Sequence, residues 1–123
     1  MPLMFLTGDG MRGGRLHQHI TGATLVGERR TLPGYRFYSV RDEFPALYPV
    51  TEGGAPVLGE LYDVPMTQLH ELLASEPPEL ELSIVELESG ELSFGMVLRR
   101  GEREDALTDI TSYGGWRAYR GAG

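Results

Sequence analysis

Apolar and polar residues along this chain alternate with two periods, and each change of period marks an element. Pro2 to Thr7 is apolar and runs into Gly8-Asp9-Gly10-Met11-Arg12-Gly13-Gly14, which predicts a buried first strand ending in a glycine-rich loop. A short helix over Arg15–Ile20 follows. Ala23 to Arg30 and Gly34 to Val40 are rich in Val, Leu, Tyr and Phe, and the Pro33-Gly34 turn signal between them predicts an antiparallel pair of strands. Asp42 to Pro56, with three prolines and Gly53-Gly54 among aromatic residues, reads as an irregular loop holding at most a short strand at Ala46–Tyr48. Val57 to Val64 suits a central strand. Met66, Leu69, Leu72 and Leu73 then fall at helical spacing, and Pro77-Pro78 ends that run. Leu80, Leu82 and Ile84, then Leu92, Phe94, Met96 and Leu98, alternate with polar or small residues on either side of Ser89-Gly90, the pattern of a β-hairpin. Six or seven strands with one full helix and one short one predict an α+β fold: a small, mixed, strongly curved β-barrel with one packed helix.

Composition narrows the function classes. A length of 123 residues predicts one domain, 1–123, able to bury roughly two-thirds of its unfolded surface. The sequence carries no apolar run near the ~18 residues of a membrane span and no signal-peptide pattern, so a cytoplasmic protein is expected. A net charge of -7 argues against nucleic-acid and anionic-membrane partners. Without cysteine there is no disulfide, thiolate nucleophile or Cys-based zinc site, and with no lysine there is no Schiff base.

Several residues could carry chemistry. The glycines between Gly8 and Gly14 let successive backbone amides converge on an anion, although a plain surface turn has the same composition. Asp9 would repel a carboxylate there unless it turns away or pairs with Arg12 or Arg15. Glu76 stands at a helix C-terminus before Pro77, where the macrodipole and any desolvation raise a carboxyl pKa toward the range of a general acid/base. It is equally one of seven carboxylates in the run from Glu71 to Glu91, a solvated acidic face. Glu60, mid-strand among apolar residues, is either a paired structural carboxylate or a cavity-facing one. Tyr35, Tyr38 and Tyr48 read as core or cross-strand packing, with Tyr35 the candidate for a pocket hydroxyl. His17 and His19 point apart within one turn and His70 is remote, so no metal site is expected. Gly8 to Gly13 spells G-x-G-x-x-G, yet no βαβ unit follows and no cofactor is implied.

The tail, Asp109 to Tyr119, reads D-I-T-S-Y-G-G-W-R-A-Y, with Asp109 and Thr111 placed as a cap and Trp116 as an anchor. This tail, the stretch Glu76-Pro77-Pro78-Glu79-Leu80-Glu81-Leu82-Ser83-Ile84-Val85-Glu86-Leu87 with Gly90 and Phe94-Gly95 after it, and Phe5–Gly14 with Thr31–Tyr38 together resemble the carboxyl-terminal domain of allophanate hydrolase. That domain is a branch of the gamma-glutamylcyclotransferase-like (AIG2-like) superfamily. The superfamily's G-E-L-Y strand is present as Gly59-Glu60-Leu61-Tyr62. Its Tyr-Gly-Ser/Thr-Leu ligand loop falls on Thr7-Gly8-Asp9-Gly10, where only the glycine is kept. Its L-D-x-x-E glutamate falls on Glu76, without the Asp. The allophanate hydrolase branch has an apolar residue in place of Glu76 and a histidine in place of Gly10, so this chain departs from both patterns.

The resemblance implies a catalytic Glu76 and a binding loop over Thr7, Gly8, Asp9 and Gly10, to which the reading of the residues adds Tyr35 and Glu60 as candidate binding groups. It implies as ligand a small nitrogen-bearing carboxylate, whether amide, gamma-glutamyl or carbamate-like. The partner would be a separately encoded amidase or a second copy of the chain. The rival expectation is a non-catalytic accessory module.

Overall fold

The computed structural model describes residues 2–101 and 107–121. Eight strands form one mixed, strongly curled sheet: β1 (Leu3–Leu6), β2 (Thr24–Arg30), β3 (Tyr35–Val40), β4 (Phe44–Pro49), β5 (Leu58–Asp63), β6 (Leu80–Glu86), β7 (Leu92–Leu98) and β8 (Leu107–Asp109). The main helix, α1 (Met66–Ala74), buries Leu69 and Leu72, and a short helix, α2 (Trp116–Arg120), ends the fold. The order along the sheet is β2-β5-β1-β7-β4-β3-β8, with β6 on the other edge of β7.

Strand β7 organises this sheet by holding three neighbours. β6 pairs with it antiparallel along its length, from Leu80↔Leu98 to Glu86↔Leu92. On its other edge β1 runs parallel beside Phe94 and Gly95, and β4 takes over at Val97 through Leu47. β1 and β4 therefore share one edge and must part where the first ends and the second begins. Gly8, the second residue past β1, lies so close to Pro45 at the start of β4 that a Cβ there would sit 2.6 Å from the proline Cδ.

The core has two parts on either side of this divergence. The larger includes Met4, Phe5, Phe37, Leu61, Leu72 and Trp116, and the smaller consists of Val40, Phe44, Ala46, Leu80 and Leu98. Met96 touches both.

Three sequence expectations are corrected. β2 and β3 do not pair with each other: β2 lies against β5, and β3 between β4 and β8. Thr31, fully buried, turns the chain between them, its hydroxyl donating to Leu32 O at 2.8 Å and accepting from Val57 N at 3.0 Å. Second, the proline-containing segment after Asp42 is a full strand paired with β3 from Val40↔Phe44 to Tyr35↔Pro49. Pro45 and Pro49 share the parity of Leu47, opposite Phe37, whose own carbonyl is taken by Ile110 N on the β8 side. The missing proline amides thus fall on the edge facing away from β3, where β4 meets β7 at Leu47↔Val97 and neither proline is a paired residue. Third, the helix expected over Arg15–Ile20 is a 3-10 turn over His17–Ile20.

Gly59 in β5 faces the carbonyl of Leu6 and the ring of Phe5, where a Cβ would lie 2.4 Å and 2.6 Å away. Gly59→Ala is expected to lower the unfolding free energy by about 1–3 kcal/mol through overpacking, measured by chemical denaturation.

Candidate functional site

The parting of β1 and β4 opens a cavity of about 380 Å³, bordered by Thr7, Gly8, Asp9, Arg15, Phe44 and Glu76, among others. Apolar walls come from both parts of the core, through Phe5, Leu6, Leu80 and Met96.

The glycine loop forms one rim and is folded by its own hydrogen bonds. Gly8 O accepts from Met11 N at 3.0 Å, Asp9 O from Leu16 N at 3.0 Å, and Met11 O from Gly14 N at 2.9 Å. Gly14 leaves no room for a side chain, since its Cβ would lie 2.0 Å from Asp9 O. Below the loop, Glu60 is fully buried and saturated with donors. Its Oε1 accepts from Arg12 N at 2.8 Å and from the Tyr62 hydroxyl at 2.9 Å; its Oε2 accepts from Arg12 Nε at 2.9 Å and from an Arg117 guanidinium nitrogen at 3.3 Å. Burial pushes the Glu60 carboxyl up, but these hydrogen bonds outweigh it and hold the group below the ordinary glutamate value. The same burial, with the bond to Glu60, pushes Tyr62 up to about 12.

The opposite rim is the end of α1. Ser75 caps the helix, its amide donating to Leu72 O and its hydroxyl to Glu71 O at 3.0 Å, while His19 Nε2 lies 3.2 Å from the same hydroxyl. This ties α1 to the 3-10 turn and places Glu76 at the cavity. Among the described residues no donor reaches the Glu76 carboxylate, and its pKa is pushed up to about 7 by burial first and by the Asp9 charge second. Asp9 is itself held by Arg15, whose Nε and Nη2 donate to Oδ2 at 3.1 and 2.8 Å. Arg15 keeps its side chain 78% exposed, so its guanidinium still faces solvent.

Four of the seven expected residues, Thr7, Gly8, Asp9 and Glu76, line this one cavity. Gly10 is buried under the loop, its Cα facing the Leu6 side chain and its carbonyl 2.9 Å from His17 Nδ1. Tyr35 lies elsewhere in the core, its hydroxyl accepting from Glu86 N at 3.2 Å. Glu60 lines a separate cavity on the far side of the loop. Sequence reasoning missed Gln18, Phe44, Pro45, Ser75 and Met96; Phe44, Pro45 and Met96 join the lining where β4 and β7 border the divergence, and Gln18 and Ser75 come from the 3-10 turn and the end of α1. No group of three or more His, Cys, Asp or Glu among the described residues is placed to hold a metal ion.

Residues 2–121 match the family of the allophanate hydrolase C-terminal domain. A urea amidolyase of Lachancea kluyveri is 32% identical over 103 residues, covering 79% of this chain but only 6% of that enzyme. The chain thus spans a small fraction of the length of this relative. A solved uropathogenic E. coli-specific protein superposes with a TM-score of 0.90 at 32% identity, covering 98% of this chain and 95% of the other. The fold is also that of an AIG2-like protein of Mus musculus, with a TM-score of 0.61 at 22% identity over 84% of this chain and 79% of the other.

The raised carboxyl has a thermodynamic consequence. The native chain keeps a proton on Glu76 that the unfolded chain releases near pH 4.5, so the native state loses stability as pH rises from about 4.5 to about 7. Glu76→Gln, a permanent mimic of the neutral acid, is expected to be more stable than the parent by about 1–3 kcal/mol at pH 8 and equal to it below pH 4.5. Thermal unfolding across that range measures the difference.

Proposed function

The chain belongs to the allophanate hydrolase C-terminal domain family, with the gamma-glutamylcyclotransferase-like fold, and we propose that it is an enzyme acting on a small nitrogen-bearing carboxylate with Glu76 as its general acid/base. What carries this reading is a carboxyl that no donor reaches among the described residues, set on a cavity of about 380 Å³ and pushed up to about 7 by burial and the Asp9 charge. Such a group is divided between its two protonation states at neutral pH and can both accept and return a proton.

The rest of the rim suits a ligand bearing both charges. Arg15 presents its guanidinium to a ligand carboxylate, and Asp9 offers an oxygen to an ammonium or amide N–H. Of the loop residues that border the cavity, Gly8 and Asp9 donate their amides to none of the loop's internal bonds, and these amides are the ones available to an oxyanion.

Two reactions of this ligand class need the same proton transfer. In cyclisation of an amide, the substrate amine attacks the carbonyl carbon, Glu76 takes the amine proton, the carbon–nitrogen bond breaks, and Glu76 returns the proton to the departing nitrogen. In loss of carbon dioxide from a carbamate-like compound, the carbon–nitrogen bond breaks with its electron pair kept on nitrogen, which Glu76 protonates. The shared requirement is an acid beside a departing nitrogen, and Glu76 meets it without the histidine that Gly10 replaces.

With gamma-glutamyl amides and allophanate-type compounds as substrates, followed by proton NMR, turnover is expected to depend on a group with a pKa near 7. Glu76→Gln is expected to lower the rate by about a hundred- to ten-thousand-fold while leaving the fold intact. Retained turnover in that variant overturns the assignment. No turnover with any substrate favours the accessory, non-catalytic reading.

A further inference from the structure

A second cavity, of about 330 Å³, lies on the far side of the glycine loop, between the face of β2 and β5 and the C-terminal tail. Its apolar wall includes Trp116 and Tyr113, and its charged lining is Arg30, Arg117, Glu28 and the edge of Glu60. The chain as a whole carries -7, yet this corner is positive. The lining itself holds two guanidiniums, Arg30 and Arg117, and two carboxylates, Glu28 and Glu60; Arg12, which lies outside the lining, is bonded to Glu60 and balances its charge, so one positive charge is left over. Glu60 is fully occupied by Arg12, Tyr62 and Arg117. Arg117 is also held by Arg12 O at 2.7 Å and stays in place without a ligand. The Arg30 side chain, by contrast, makes no hydrogen bond or ion pair among the described residues, although it lines the cavity. A shallower cavity of about 310 Å³ on the other side of Trp116 adds Arg120, whose guanidinium lies 5.4 Å from the indole ring centre.

We propose that the cavity between β2 and the tail is a second binding site, for a small organic monocarboxylate with an apolar body. Arg30 and Arg117 receive the carboxylate, and the body lies against Trp116 and Tyr113. The surplus of one charge selects a single anionic group, because a second would meet Glu28. This site is distinct from the Glu76 cavity and does not depend on its chemistry: the two lie on opposite sides of the loop and share no lining residue.

Trp116 is the chain's only tryptophan, so its fluorescence reports occupancy directly. The full chain is titrated with sodium benzoate, with benzamide as the uncharged analogue and with benzylamine as the cation. The expected result is a saturable change with benzoate at an affinity about tenfold higher than for either analogue, weakened by added salt and reduced about tenfold by Arg30→Gln. Equal responses to all three compounds, no saturation, or an unchanged affinity in Arg30→Gln overturns the proposal. Amide chemical shifts locate the ligand independently of the variant. Changes at Gly114, Gly115 and Ala118 support the second site, whereas changes confined to Gly8 and Asp9 assign the ligand to the first cavity and overturn it.

Discussion

A carboxylate buried in a protein interior is tolerated only when both oxygens are satisfied, and Glu60 imposes that condition on its own strand and on two distant parts of this chain. Its donors come from the glycine loop through Arg12, from its own strand through Tyr62, and from the terminal helix through Arg117. Each segment is held in the conformation that delivers a donor. The loop's path over the sheet, the docking of α2 and the position of Asp9 on the cavity rim all follow from satisfying one charge. Arg117 strengthens the link by also holding the carbonyl of Arg12, so loop and tail are joined directly as well as through the carboxylate.

Glu76 shows the opposite outcome for the same side chain. It is desolvated without compensation and stands near another negative charge, so its proton is retained to about pH 7. Glu60 gains donors that outweigh its burial and remains ionised. Environments that push the pKa values of two carboxylates apart leave one charged and the other neutral at the same pH. Here the structural carboxylate holds the loop that forms one side of the cavity, and the raised one forms the other side.

Much of the architecture was legible because it rests on local pattern. The period of Met66, Leu69, Leu72 and Leu73 located α1, the alternation on either side of Ser89-Gly90 located the β6–β7 hairpin, and the pairing of Asp109 with Thr111 is a cap whose donors were readable from residue type. What was not legible depends on which strands meet across the sheet. A proline reads as a strand breaker unless the partner edge is known, so β4 looked like a loop. Pro33-Gly34 reads as a hairpin turn when it instead joins strands that go to different neighbours. The candidate site divided in the same way. Thr7, Gly8, Asp9 and Glu76 converge because the loop and the end of α1 flank one opening, whereas Tyr35 and Glu60 had suitable residue types but point elsewhere. The chemistry of Glu60 fits either a ligand group or a buried hub, and only the positions of Arg12 and Arg117 distinguish them.

The three-way pairing of β7 also bears on how the chain reaches this state. β1 is synthesised before the other seven strands of this sheet, yet its partners are β5 and, through Met4↔Phe94, the second arm of the much later β6–β7 hairpin. A nascent chain must hold an apolar first strand unpaired on one edge until that hairpin exists. Closing so long a loop carries an entropic cost before any contact repays it. The hairpin, built from neighbours in sequence, is the part able to form early and to serve as the template on which β1 and then β4 settle, so completion of the cleft comes late in folding by necessity of topology.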